Sequence, residues 1–290
     1  MKAIQTWDAH CDSLWLLSGH ALRQSPPRVS LLSMQFGGLD RAIFALYLSD
    51  EVQDGLGDAR SWEEILKQIR IAKAHYPDMP LALEGGRVLG SSELTIAMRL
   101  KALKDARIRY LTLVHNYNNL LAGSSMGSQR QGLTKLGRAT IEECHFHEIL
   151  VDVSHASDET LADVLAFGGA PVIASHSGAR AITRHPRNLS DMQIAQIAAV
   201  GGVICVPFAR KFVGTRAGVA HHIDHIISVT GSVDHVGIGS DLDGAQMVPG
   251  VNGAEDWSKV VVDELQRRGI ADEAIVQVAG GNLQRLLEKM

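Results

Sequence analysis

Imidazoles and carboxylates recur where the apolar runs of this chain end. His10 and Asp12 stand two apart in WDAHCDSLWLL (7–17), and Glu84 ends PLALE ahead of two glycines. His115 follows LTLV, His155 follows ILVDVS, His176 follows PVIAS and Asp241 follows VGIGS. Imidazole and carboxylate without thiolate suit zinc or a similar divalent ion at an open, catalytic site. Alternate residues of a strand share a face, so His10 and Asp12 can reach one ion while Cys11 points away as a small core residue. Singly, each histidine reads more readily as a hydrogen-bonded surface group, and Glu84 can be read as a turn residue. Recurrence at six strand ends points instead to one gathered metal site.

Two further histidine groups read differently. HHIDH (221–225) sets His221 and His225 at i, i+4 on a helix, but a zinc-peptidase helix of that spacing carries glutamate beside its first histidine. Here His222 stands in that place, and a helix-surface cluster is expected. His145 and His147 close a helix at 134–147, where positive charge suits the negative end of the dipole.

Apolar, β-branched runs alternate with helical patterns along the whole chain. Strands are expected at 3–9, 41–48, 80–84, 107–114, 149–154, 171–175, 202–207 and 234–240. Helices are expected at 61–75, 92–105, 134–147, 157–167, 190–199 and 218–230, with two or three more from about 256. Ser61, Ser157 and Ser190 each precede acidic residues, as helix starts do. Eight strand–helix units in one chain of this length predict an α/β fold, a (β/α)8 TIM barrel with its active site at the C-terminal strand ends. An open doubly wound sheet would announce itself by a glycine-rich phosphate loop after the first strand, where this chain has His-Cys-Asp. Residues 1–290 are expected to be one domain, with long loops at 19–39, 116–133 and 243–255 on the catalytic face.

Net charge is −4 with no block of one sign, which points away from nucleic acid and anionic membrane surfaces. Three cysteines without a CxxC pair argue against a disulfide framework and for a reducing compartment. No secretory leader is read at the start, and no apolar run is long enough to span a bilayer. A cytoplasmic location is expected.

With the ligand pattern in view, the chain resembles the membrane (renal) dipeptidase family of zinc peptidases, in the amidohydrolase superfamily. DAHCDS (8–13), LEGG (83–86), LTLVHNYNN (111–119), GLTKLGR (132–138) and VDVSHASDET (151–160) carry the likeness. PVIASHSGAR (171–180), RNLSD (187–191), VGIGSDLDG (236–244) and GGNLQRLL (280–287) continue it in order. The resemblance implies two zinc ions per chain: His10 and Asp12 on one, His155 and His176 on the other, Glu84 bridging. It implies that His115 polarises substrate, that Arg187 holds the substrate carboxylate and that Asp241 is the acid–base group. The disulfide cysteines and apolar C-terminal tail of the animal members have no counterpart in this sequence, so "membrane" is not carried over.

Such a site would hydrolyse dipeptides, including L-Xaa-D-Xaa pairs, by a metal-activated hydroxide. Asp241 would relay the proton rather than serve as a further ligand, and the planar fork of Arg187 fits a free carboxylate. A bland alternative pairs Arg187 with Asp191 at a helix start. Lactam or cyclic-amide hydrolysis, deamination and an inactive metal-binding paralogue are the competing functions. A dipeptide is the expected partner, with a homodimer as a further option.

Overall fold

The computed structural model describes residues 5–19 and 26–289. Residues 3 and 4 of the first expected strand, and 20–25 of the loop expected over 19–39, lie outside them. Eight parallel strands form one sheet in sequence order. They are β1 (Trp7–Cys11), β2 (Arg41–Tyr47), β3 (Leu81–Glu84), β4 (Ile108–Thr112), β5 (Leu150–Asp152), β6 (Val172–Ala174), β7 (Val203–Val206) and β8 (Val236–Ile238). Helices intervene, and the sheet returns on itself: Cys11 bridges Leu242 in parallel, and the Asp12 amide donates to the Leu242 carbonyl at 2.8 Å. This is the (β/α)8 barrel class.

By contact density the chain divides into two compact units. Among the described residues, one comprises 5–13, 26–43 and 174–289, and the other comprises 14–19 and 44–173. Both have apolar cores. Ile204, Cys205, Val206, Val236 and Trp257 are fully buried in the first, and Phe44, Leu46, Leu83, Tyr110 and Leu111 in the second. Each such aliphatic side chain contributes about 1.5–3 kcal/mol by leaving water. In the second unit, register sets Tyr47 opposite Glu84, Glu84 opposite Thr112, and Thr112 opposite Asp152. Partners in register share a face of the sheet, so four polar side chains form one row across β2 to β5.

Three local expectations change, besides the helix Leu31–Gly37 that lies within the loop expected over 19–39. The first strand starts at Trp7, later than expected, so His10 lies within it. Ser61 does not cap its helix, which begins at Asp58 behind Gly57; Ser61 lies buried inside it. Gly57, at φ 75°, also ends the preceding helix Asp50–Leu56, and that shared hinge places the start one turn earlier. Ser157 and Ser190 do cap theirs, accepting from the Thr160 and Gln193 amides. Among the described residues, no helix is long and apolar enough to cross a membrane.

The third change concerns HHIDH. His222 is fully buried, not on the surface, within helix Arg216–Thr230. Its Nδ1 accepts from the Ala179 amide at 2.8 Å, and its Nε2 lies 3.2 Å from Thr183 Oγ1. His225 pairs with Asp191 at 2.7 Å, which leaves the bland pairing of Arg187 with Asp191 without support. Burial, and then the charges of His225 and His221, push the His222 pKa down from 6.5 to about 4. A base with a lowered folded pKa binds fewer protons folded than unfolded, so stability is lost as pH falls from 6.5 toward 4. The loss at this one group is about 3 kcal/mol. Urea midpoints of the metal-free protein are expected to fall through that window, and to fall less in His222→Gln; equal slopes would count against it.

Candidate metal centre

The first unit gathers His10, Asp12 and Asp241, whose donor atoms all lie within 4.8 Å of one another. Their placement follows from backbone pairing. The Asp241 amide donates to the His10 carbonyl at 3.0 Å, so the residues after β8 run alongside the end of β1. Asp8 braces the same junction: its Oδ1 accepts from the His10 amide at 3.1 Å and the Ser240 amide at 2.7 Å. Burial raises the Asp8 pKa from 3.8 to about 6, partly offset by those hydrogen bonds. Asp243 ties in the next segment, accepting from Ser13 Oγ at 2.6 Å and from the Arg28 amide at 2.9 Å.

His10 Nε2 lies 3.4 Å from Asp12 Oδ2, and the His10 ring stacks on His176 with centroids 4.0 Å apart. Ser175 Oγ engages His176 Nδ1 at 2.8 Å. Arg187 is 4% exposed, and its guanidinium lies 5.3 Å over the Phe212 ring. Arg187 Nη2 donates to the His176 carbonyl at 3.4 Å, so the arginine and that histidine are neighbours.

The second unit gathers Glu84, His115 and His155 in the same way, with donor atoms within 4.8 Å. Glu84 Oε1 is 3.1 Å from His155 Nε2, and the His115 and His155 rings lie 4.5 Å apart. The glycines after Glu84 have physical reasons. Gly85 adopts φ 90°, and a Cβ on Gly86 would press on Leu121 and the Leu113 carbonyl at 3.0 Å. The loop expected at 116–133 is held by its own polar residues. Ser124 Oγ donates to the His115 carbonyl at 2.6 Å, and the Ser125 amide donates to the His155 carbonyl at 2.8 Å.

Both trios combine buried carboxylate oxygen with imidazole nitrogen, the donor set of zinc and similar ions, and three protein donors leave coordination positions open. His155 and Asp241 also hold left-handed backbone, at φ 67° and 62°. Non-glycine residues there cost about 1–3 kcal/mol each, and such strain gathers at functional sites. Cys11 is buried, with Sγ 3.6 Å from the Ile43 carbonyl, in keeping with a core role. Among the described residues, no metal-competent group includes His221, His225, His145 or His147.

Two further contributors were not assigned a role from the sequence. Tyr47 OH lies 3.3 Å from His115 Nδ1, and Gln68 clamps the Tyr47 peptide, accepting at 3.0 Å and donating at 2.7 Å. The only hint was a polar-tipped aromatic at the end of the second strand. Gly244 is the other: a Cβ there would collide with carboxylate oxygens of both Asp12 and Asp241.

A family model described as membrane dipeptidase (peptidase family M19) matches residues 78–290. Dipeptidase verJ of Clonostachys rogersoniana is 34% identical over 251 residues, 84% of this chain and 62% of that protein. An uncharacterized dipeptidase of Schizosaccharomyces pombe is 36% identical over 197 residues, 64% of this chain and 48% of that protein. The chain thus spans less than two thirds of the length of either relative. A metallo peptidase from Rhodobacter sphaeroides, solved with a phosphinate mimic of the dipeptide L-Ala-D-Ala, superposes with a TM-score of 0.81 at 24% identity. That match covers 98% of this chain and 99% of the other. A probable dipeptidase, PvdM, from Pseudomonas aeruginosa gives 0.83 at 20% identity, covering 99% and 95%. At these identities the structures speak for the fold alone.

Gly244→Ala is expected to push Asp12 and Asp241 apart and weaken divalent-ion binding at least about tenfold, a loss of about 1.4 kcal/mol. Chelator competition measures it; wild-type affinity in a folded variant would contradict the crowding.

Proposed function

The chain belongs to the membrane dipeptidase family, peptidase family M19, and we propose that it hydrolyses the peptide bond of dipeptides with two zinc ions. His10 and Asp12 would hold one ion, His155 and His176 the other, and Glu84 would serve both. The observation that carries this reading is the pair of acid–imidazole trios, buried except for the half-buried His115, each assembled from strand ends far apart in sequence. Bound there, zinc would supply Lewis acidity, activating water and polarising the scissile carbonyl.

The chain's own groups do the rest. Asp241, in left-handed backbone beside Asp12, takes the proton of the attacking water and passes it to the leaving amine. His115 donates a hydrogen bond to the oxygen that gains charge; losing such a donor costs about 3–4 kcal/mol in other hydrolases. Donation to substrate through Nε2 requires the proton there, and in that tautomer Tyr47 OH, 3.3 Å from Nδ1, is placed to donate to Nδ1. Arg187 pairs in two-point fashion with the substrate's terminal carboxylate, and that requirement directs hydrolysis to the peptide bond next to the free C-terminus. Because the Rhodobacter sphaeroides protein was solved with a mimic of L-Ala-D-Ala, L-Xaa-D-Xaa dipeptides are included in the proposed range. All 290 residues are read as one catalytic domain because a single eight-stranded sheet runs through them. The reading keeps a reducing, cytoplasmic location; Cys11, Cys144 and Cys205 are all buried and outside disulfides.

Purified protein is expected to contain two zinc ions per chain, to lose dipeptide turnover on chelation and to regain it with zinc. Full activity after complete metal removal would end this reading. Asp241→Asn is expected to keep its zinc and lose at least about 100-fold in kcat, as general acid–base groups do. Unchanged kcat would remove Asp241 from the mechanism.

A further inference from the structure

The segment between β6 and helix Asp191–Ala199 carries both His176 and Arg187, yet it contains almost no regular structure. Its backbone closes through one short bridge: the Leu189 amide donates to the Gly178 carbonyl at 2.9 Å, and the Arg180 amide to the Leu189 carbonyl at 2.7 Å. Two buried side chains complete it. Asn188, 1% exposed, accepts from the Gly178 amide at 3.0 Å. Its Nδ2 donates to the Thr183 and Phe212 carbonyls, both at 2.9 Å. Only one orientation of the amide satisfies all three partners.

His222, 0% exposed, supplies the second anchor from the packed helix behind. The Ala179 amide can only donate, so His222 Nδ1 must be the acceptor, and Nε2 carries the proton toward Thr183 Oγ1. Gly178 permits this approach: a Cβ there would stand 2.8 Å from both His222 Nδ1 and Asn188 Oδ1. The contacts then run onward to the arginine. Asn188 holds the Phe212 backbone, and the Phe212 ring lies under the Arg187 guanidinium.

We propose that His222, with Asn188, is a positioning residue that sets the Arg187 guanidinium for the substrate carboxylate. It acts through Ala179, Thr183 and Phe212 rather than by touching substrate. The role rests on the dipeptidase reading above and deepens it: the histidine cluster that resembles a metal motif serves carboxylate recognition instead.

His222→Phe keeps a ring and removes both hydrogen bonds; His222→Asn keeps an acceptor at the place of Nδ1. With zinc content unchanged, His222→Phe is expected to raise KM for a free dipeptide about tenfold with kcat within about threefold, whereas His222→Asn stays within about threefold of wild type in KM. Turnover of the same dipeptide capped as its C-terminal amide should not change, because Arg187 has no carboxylate to hold. In an Arg187→Met background, His222→Phe should add nothing further. Additive losses, or equal losses on acid and amide, would reduce His222 to a structural role and overturn the proposal. Should His222→Phe fail to fold, Thr183→Val removes only the Nε2 partner; a KM rise of about threefold is expected, and none would be contrary. Absence of dipeptide turnover in the wild type would be a failure of the dipeptidase reading, and amide hydrogen exchange then decides the anchor. Exchange at Ala179, Arg180 and Leu189 should quicken in His222→Phe or Thr183→Val, and unchanged exchange would overturn it.

Discussion

Carboxylates taken out of water side by side need positive charge between them. Asp12 is 3% exposed and Asp241 7%, within one trio, and Glu84 is 5% exposed in the other. Each buried carboxylate carries a desolvation cost of several kcal/mol even after relaxation, and two of like sign add mutual repulsion. Neutral imidazole does not offset this. A divalent cation does, and it also accounts for donors of these types converging at the ends of strands. On the proposed reading, metal binding would be tied to stability as well as to chemistry.

The surrounding structure is arranged to tolerate that crowding. Asp8 ties β1 to the start of the β8 loop through two amides, fixing where His10 and Asp241 emerge. Gly244 leaves room for two carboxylates where any side chain would collide with both. His155 and Asp241 accept left-handed backbone that ordinary loop residues avoid. Pinning by Ser124 and Ser125 ties the loop after β4 to the His115 and His155 carbonyls.

The eight-stranded plan and the gathering of imidazoles and carboxylates at strand ends were legible because strand periodicity and residue chemistry are local properties. Two-residue spacing placed His10 and Asp12 together, and both fall in the trio with Asp241. What escaped was the set of contacts made through space. Tyr47 reaches His115 from a strand that ends without any obvious ligand, and His222 enters the core from a helix whose histidines look like a surface patch. Neither follows from spacing along one element, since each depends on which neighbour the chain packs against. Ser61 shows the converse error. A motif of correct chemistry stands one turn inside a helix that Gly57 lets begin earlier.

The most direct measurement is anomalous diffraction at the zinc edge from crystals of the zinc-loaded protein. Two peaks about 3.5–4 Å apart are expected, one bonded to His10 and Asp12, the other to His155 and His176, with Glu84 touching both. No peak at these side chains, or a single ion out of reach of Glu84, would contradict it.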